Sequence, residues 1–175
     1  MTSLAAKHPS LAYLALGSNL GDRAGHLTAA RQAISALPSC TLRQWSSLYE
    51  TPAWGSDKPQ PDYLNAVIAL ETGLTPHELW QHTSAIELSQ GRARSAEKNA
   101  ARTLDIDLLL FDDMLMNTNT LVLPHPRMHL RQFVLQPLLE IAPDINIPGR
   151  GSAAALSLQL VGSDLQKVTQ NSVWN

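Results

Sequence analysis

Ten residues, Arg102-Thr-Leu-Asp-Ile-Asp-Leu-Leu-Leu-Phe111, constrain this chain more than any others. Their Leu, Ile and Phe content reads as a buried strand, yet Asp105 and Asp107 are set into it. In a strand, side chains at i and i+2 share a face, and a rise of roughly 3.3 Å per residue puts them about 6.6 Å apart. Leu104, Ile106 and Leu108 then take the opposite, core face, and two carboxylates look out from the other. Ionised carboxylates this close repel unless a cation sits between them or one takes up a proton. A divalent cation is the simplest resolution, and oxygen-only ligation suits magnesium. The plainer alternative is a solvated edge strand whose aspartates pair with Lys or Arg. On spacing alone the two readings are evenly matched.

The segments around this strand define the architecture. Residues 11–16, LAYLAL, read as a first strand that ends in GSNLGDR, a tight strand-to-helix turn. Leu27, Ala30, Ile34 and Leu37 recur at helical spacing until Pro38. Thr41–Glu50 reads as a strand, and residues 51–63 form a long loop with three prolines and a glycine. Tyr63–Thr72 is a further strand, paired back on the previous one as a wide hairpin, with Tyr63 and Asn65 on one face. Thr75-Pro76-His77-Glu78 is a capping box, and its helix ends near Gly91. A second loop, RARSAEKNAAR, leads into the aspartate strand. LVLPHPRM follows as a loop, then HLRQFVLQPLLEI as a helix that Pro137 must kink or restart.

The order β, α, β, β, α, β with a helical C-terminal part predicts an α+β chain. Its plan is a ferredoxin-like split βαβ sandwich, an antiparallel-dominated sheet with helices on one face. We expect a single domain over residues 1–175 with its core in 11–160, and a weakly held tail over 163–175.

Composition excludes several classes. A formal charge of −2 argues against a general binder of nucleic acid or anionic membranes. One cysteine, Cys40, allows no intrachain disulfide and no thiolate metal cluster. Nowhere do 18 apolar residues run together, and the N-terminal apolar stretch is too short for a signal peptide or anchor. A cytoplasmic monomer is the expectation.

Five of the nine arginines, Arg92, Arg94, Arg102, Arg127 and Arg131, fall in one 40-residue stretch around the aspartates. Cations facing a metal-binding carboxylate pair are what a polyphosphate needs, because phosphoryl transfer is catalysed mainly by positioning and charge neutralisation. One or two of these arginines are expected to be plain surface groups, Arg127 first among them. No G-x-x-x-x-G-K-[ST] loop is present, so a nucleotide would be held without one. His125 lies between two prolines, which pin its backbone.

The segments GSNLGDR, SSLYETPAWG, PDYLNAVIALET, IELSQGRAR, ARTLDIDLLLF and LPHPRM followed by RQFVLQPLLEIAPD occur in one order and spacing. Together they resemble the 6-hydroxymethyl-7,8-dihydropterin pyrophosphokinases of folate biosynthesis, from about Tyr13 to Gly149. The resemblance implies transfer of pyrophosphate from ATP to the pterin hydroxymethyl group, with release of AMP. It further implies two magnesium ions on Asp105 and Asp107. Arg92, Arg94, Arg102, His125 and Arg131 would contact the phosphates or secure a closed loop, with Glu87 and Leu108 beside the nucleotide and Arg92 and Arg102 counted in the catalytic set. Tyr63 and Phe133 would sandwich the pterin, Asn65 would bond its edge, and Thr51, Pro52, Ala53 and Trp54 would complete the pocket. Asn99-Ala100-Ala101 stands where well-known members carry Trp-Gly-Pro.

Two other readings compete. A ferredoxin-like module that has lost catalysis conflicts with retention of both aspartates and the arginines. A D-x-D nucleotidyltransferase or phosphohydrolase explains the aspartates but gives Tyr63, Asn65 and Phe133 no role.

Overall fold

A computed structural model describes residues 8–53, 59–91, 100–160, 164–168 and 173–174. The first half follows the expected order with one strand more: β1 (Ser10–Ser18), α1 (Arg23–Ser35), β2 (Cys40–Trp45), β3 (Tyr49–Thr51), β4 (Tyr63–Thr72), α2 (Pro76–Ser89) and β5 (Asp105–Phe111). The second half adds β6 (Met116–Asn117), β7 (Val122–Leu123), a 3-10 turn (Met128–Leu130), α3 (Gln132–Ile141), β8 (Asn146–Ile147), β9 (Gly151–Ser152), α4 (Ala153–Gln159) and β10 (Gln166–Lys167).

The main sheet has the order β10-β3-β4-β1-β5, with β2 also paired to β4, and every pairing is antiparallel. This is the split-βαβ arrangement, in which β4 returns between the strands flanking α1 and β5 closes the far edge. Local chemistry starts the helices where the sequence indicates. Asp22 accepts the Gly25 N–H at the head of α1, and Thr75 and Glu78 form the reciprocal capping box of α2.

Three expectations need correction. Thr41–Glu50 is two strands, because Ser46 interrupts it: its N–H bonds the Val67 carbonyl while its Oγ accepts the Val67 N–H. That side-chain bond replaces a backbone ladder partner and breaks the strand into β2 and β3. The helices cover both sheet faces. Leu27, Ile34, Leu79 and Ile86 of α1 and α2 pack with Leu14, Leu16 and Ile68, whereas Val134, Leu135 and Leu138 of α3 pack with Val67 and Leu109 on the other side. A strand buried on both faces needs two apolar rows, and β4 supplies them.

Pro137 lies inside α3, which runs through it without interruption. The helix begins only at Gln132, so the missing N–H costs one bond, to the Phe133 carbonyl, and the buried ring packs in return. Of residues 163–175, the structure describes 164–168 and 173–174. β10 pairs with β3, and the Trp174 side chain is 1% exposed.

Candidate active site

The aspartates occupy one row of the sheet with the residues opposite them. Asn65 on β4, Gly17 on β1 and Asp105 on β5 are in register, as are Val67, Ala15 and Asp107. Directly paired residues point to the same face, so Gly17 and Ala15 form a low floor between Asn65 and the two carboxylates. Two strand spacings separate Asn65 from Asp105 along this row, roughly 10 Å. Leu104, Ile106 and Leu108 face the opposite, α1–α2 core, as the alternation predicts.

A cavity of about 310 Å³ opens above this floor. Thr51, Pro52, Ala53, Tyr63, Asn65 and Phe133 line it. So do the charged groups Arg102, Asp105, Asp107, Arg127 and Arg131. Arg127, expected to be a plain surface group, therefore stands at the mouth of the cavity, although it is exposed. Trp54, Arg92, Arg94 and Asn99 lie outside the described residues.

Asn65 is buried, and its amide nitrogen donates to Thr51 Oγ1 at 3.0 Å and to the Tyr49 carbonyl at 3.4 Å. With both N–H groups directed at β3, its Oδ1 lies toward Gly17, about 3.4 Å from where a Cβ on that glycine would stand. Asn65 thus presents an acceptor to the cavity and selects a ligand edge that donates. Tyr63 and Phe133 supply aromatic faces, and the Arg131 guanidinium carbon lies 5.6 Å from the Phe133 ring centroid.

Each aspartate has a cationic partner. Arg102 Nη1 donates to Asp105 Oδ1 at 2.8 Å, and Arg131 Nη1 donates to Asp107 Oδ2 at 3.2 Å. His125 Nε2 is 3.5 Å from the same Asp107 oxygen. The Arg127 backbone N–H donates to His125 Nδ1, which fixes the proton of the neutral ring on Nε2, facing Asp107. Burial lowers the His125 pKa, against the opposing pull of Asp107, so this neutral form is favoured.

Burial, and then the charge of Asp105, push the Asp107 carboxyl above its ordinary value. His125, Arg131 and Arg102 oppose that rise without cancelling it. Burial lowers Arg131, with Asp107 pulling the other way. For Arg102, burial is outweighed by Asp105, and its pKa is raised. Asp107 is thus a buried carboxylate beside a second one, a charge that a divalent cation would help to neutralise. Among the described residues no group of three or more His, Cys, Asp or Glu side chains gathers to hold a metal. Two carboxylates that leave the remaining positions to water and phosphate oxygens suit magnesium.

Glu87 reaches the same strand from α2. Its Oε1 accepts the Ile106 N–H at 2.6 Å, on the free edge of β5 between the two aspartates. The His125 N–H bonds the Leu109 carbonyl further along that edge. Beyond it lies a second cavity of about 250 Å³, whose walls include Trp80, Ile106, Leu108, Thr120, Leu121 and His125. Asp107 lines both cavities.

Three contributors escaped the sequence reading. Asn19, inside the GSNLGDR turn, is buried and accepts the Arg102 N–H at 2.8 Å, while its Nδ2 donates to Gln60 Oε1 and to the Pro61 carbonyl. It ties the entrance of β5 to that of β4. An Asn in a Gly-rich turn carries no mark distinguishing this long-range role from local turn chemistry. The small floor residues Gly17 and Ala15 become visible only through strand register.

Carboxylates matched to guanidinium groups, with Asp107 lining both an aromatic-walled cavity and a second one, fit the class of small-molecule phosphotransferases. The family described as 7,8-dihydro-6-hydroxymethylpterin-pyrophosphokinase (HPPK) matches residues 13–143. The 2-amino-4-hydroxy-6-hydroxymethyldihydropteridine pyrophosphokinase of Methylorubrum extorquens is 41% identical over 157 residues, which cover 90% of this chain and 98% of that protein. The protein of the same name from Haemophilus influenzae is 44% identical over 137 residues, 78% of this chain and 84% of that one. The chain belongs to the HPPK family. Its fold is shared with a crystal structure of HPPK-DHPS in complex with substrates, at a TM-score of 0.69 and 11% identity. That alignment covers 89% of this chain and 44% of the larger HPPK-DHPS chain.

Proposed function

We propose that this chain transfers the β,γ-pyrophosphate of ATP to the hydroxymethyl oxygen of 6-hydroxymethyl-7,8-dihydropterin, with release of AMP. The observation that carries this reading is the position of Asp107, shared by the aromatic-walled cavity and the second cavity beyond the β5 edge. The pterin takes the first cavity, between Tyr63 and Phe133, with a donating edge on Asn65 Oδ1. Thr51, Pro52 and Ala53 close its side, and Trp54 is a further pterin-binding residue in this reading. The nucleotide takes the second cavity beside Leu108, and its triphosphate crosses the aspartate row.

Asp105 and Asp107 would hold two magnesium ions, which would supply charge neutralisation for the phosphates. Arg102 and Arg131, now paired with those aspartates, turn their guanidinium forks to phosphate oxygens, and His125 Nε2–H adds a neutral donor. Arg92 and Arg94 complete the clamp in this reading. Glu87 acts on the strand instead, holding the Ile106 amide so that the aspartates keep their spacing. The hydroxymethyl oxygen then attacks the β-phosphorus in line as the bond to the α-phosphate oxygen breaks, and AMP leaves. The same proposal places the chain in the cytoplasm as a monomer; no helix among the described residues is long and apolar enough to cross a membrane.

The test is a product assay with protein, ATP, magnesium and 6-hydroxymethyl-7,8-dihydropterin. AMP that appears only with the pterin supports the reading. Its absence overturns it, and ADP or free phosphate in its place points to the metal-dependent hydrolase or nucleotidyltransferase alternative.

A further inference from the structure

We infer that Trp174 is a positioning residue for the pterin cavity, acting through Ser46 and β3 on the orientation of Asn65. The inference rests on the reading that this cavity takes the pterin. β3 has three residues, and a strand so short is marginal unless it is held from both sides. On the inner side it pairs with β4. On the outer side the C-terminal segment holds it: Gln166 and Lys167 pair with Glu50 and Tyr49, and the Val168 N–H bonds the Leu48 carbonyl.

Trp174 closes this arrangement. Its indole N–H donates to the Ser46 carbonyl at 2.7 Å in a buried position. Ser46 is the residue whose N–H and Oγ both engage Val67, two residues along β4 from Asn65. The indole itself is fixed by Arg31, whose guanidinium carbon lies 4.6 Å from the Trp174 ring and 4.5 Å from the Trp45 ring. Arg31 Nη1 also donates to the Trp174 carbonyl, and Thr28 Oγ1 to that of Val173. A cation held against two aromatic rings and bonded to the Trp174 carbonyl is a rigid anchor.

The consequence falls on one side of the active site. Tyr49 O and Thr51 Oγ1, both on β3, are the two acceptors that orient the Asn65 amide. Asp105, Asp107 and the second cavity belong to β5, at the far edge of the sheet. Loosening Trp174 should therefore weaken pterin recognition and leave nucleotide recognition intact.

The experiment compares full-length wild type with Trp174→Phe and Trp174→Ala. Phenylalanine keeps a ring against Arg31 but removes the N–H donor to Ser46 together with part of the buried ring volume. Pterin KM is expected to rise about threefold for Phe and about tenfold for Ala, with ATP KM and kcat within about twofold of wild type. Equilibrium pterin binding, followed by fluorescence without turnover, should weaken in the same order. A parallel rise in both KM values, or an unchanged pterin KM and Kd beside a lowered melting temperature, would overturn the inference. Should the alanine variant fail to fold, an unchanged pterin Kd in Trp174→Phe overturns it alone. Absence of wild-type AMP release counts against the reaction; equal pterin Kd values across the three proteins count against the positioning role.

Discussion

Glu87 Oε1 accepts the backbone N–H of Ile106 at 2.6 Å, and that amide sits between the two aspartates on the open edge of β5. An edge strand leaves alternate N–H groups without ladder partners, and a carboxylate supplied by a helix is a strong substitute. Glu87→Ala buries this donor without that acceptor, and we expect a stability loss of about 1–3 kcal/mol. Urea denaturation checks it, and Glu87→Gln, which keeps an acceptor oxygen, should recover most of the loss. Equal losses in both variants would mean that the negative charge matters and the accepted bond does not.

Asn19 makes a second prediction, because one amide side chain ties two loops. Asn19→Ala should cost about 1–3 kcal/mol and lower kcat/KM for both substrates. Asn19→Asp keeps the acceptor for Arg102 N–H and loses the donors to Gln60 and Pro61. Its defect should therefore fall more on the pterin KM than on the ATP KM, and identical kinetics for the two variants would contradict this division.

The third prediction concerns pH. Burial pushes the Glu140 carboxyl up, but hydrogen bonds from Ser47, Tyr49 and Lys167 outweigh it and its pKa is lowered. A carboxylate depressed in the folded state contributes stability above its unfolded pKa and loses it as pH falls through the folded value. The difference in urea midpoint between wild type and Glu140→Gln should accordingly be largest near neutrality and shrink on acidification below about pH 4.5. A difference independent of pH would show that shape, not charge, makes the contribution.

The alternation in residues 104–108 is legible because period two is a local property, and so is the capping box at Thr75. The aspartate face, the loop lengths and the β, α, β, β, α, β order follow from such local signals. Ser46 is not legible, because a serine within a strand pattern gives no sign that its Oγ will take the Val67 N–H. Neither is the α3–α4 layer, since coverage of the second face depends on where β4 lies in the sheet. Trp174 follows a stretch of low apolar content, and its burial comes from contacts with Arg31 and Ser46 that are distant in sequence. Arg127 reads as surface and is exposed, yet the His125 backbone bonded to β5 brings it to the mouth of the cavity. In each case the missing information is long-range register.

The most direct test of the aspartate row is Asp107→Asn, which preserves shape and an acceptor for Arg131 while removing the charge. Pterin-dependent AMP release should fall on the order of 10³-fold. The urea midpoint should stay level or rise, because a buried charge and its repulsion with Asp105 are both removed. Near-normal turnover in a stably folded Asp107→Asn protein would contradict the account.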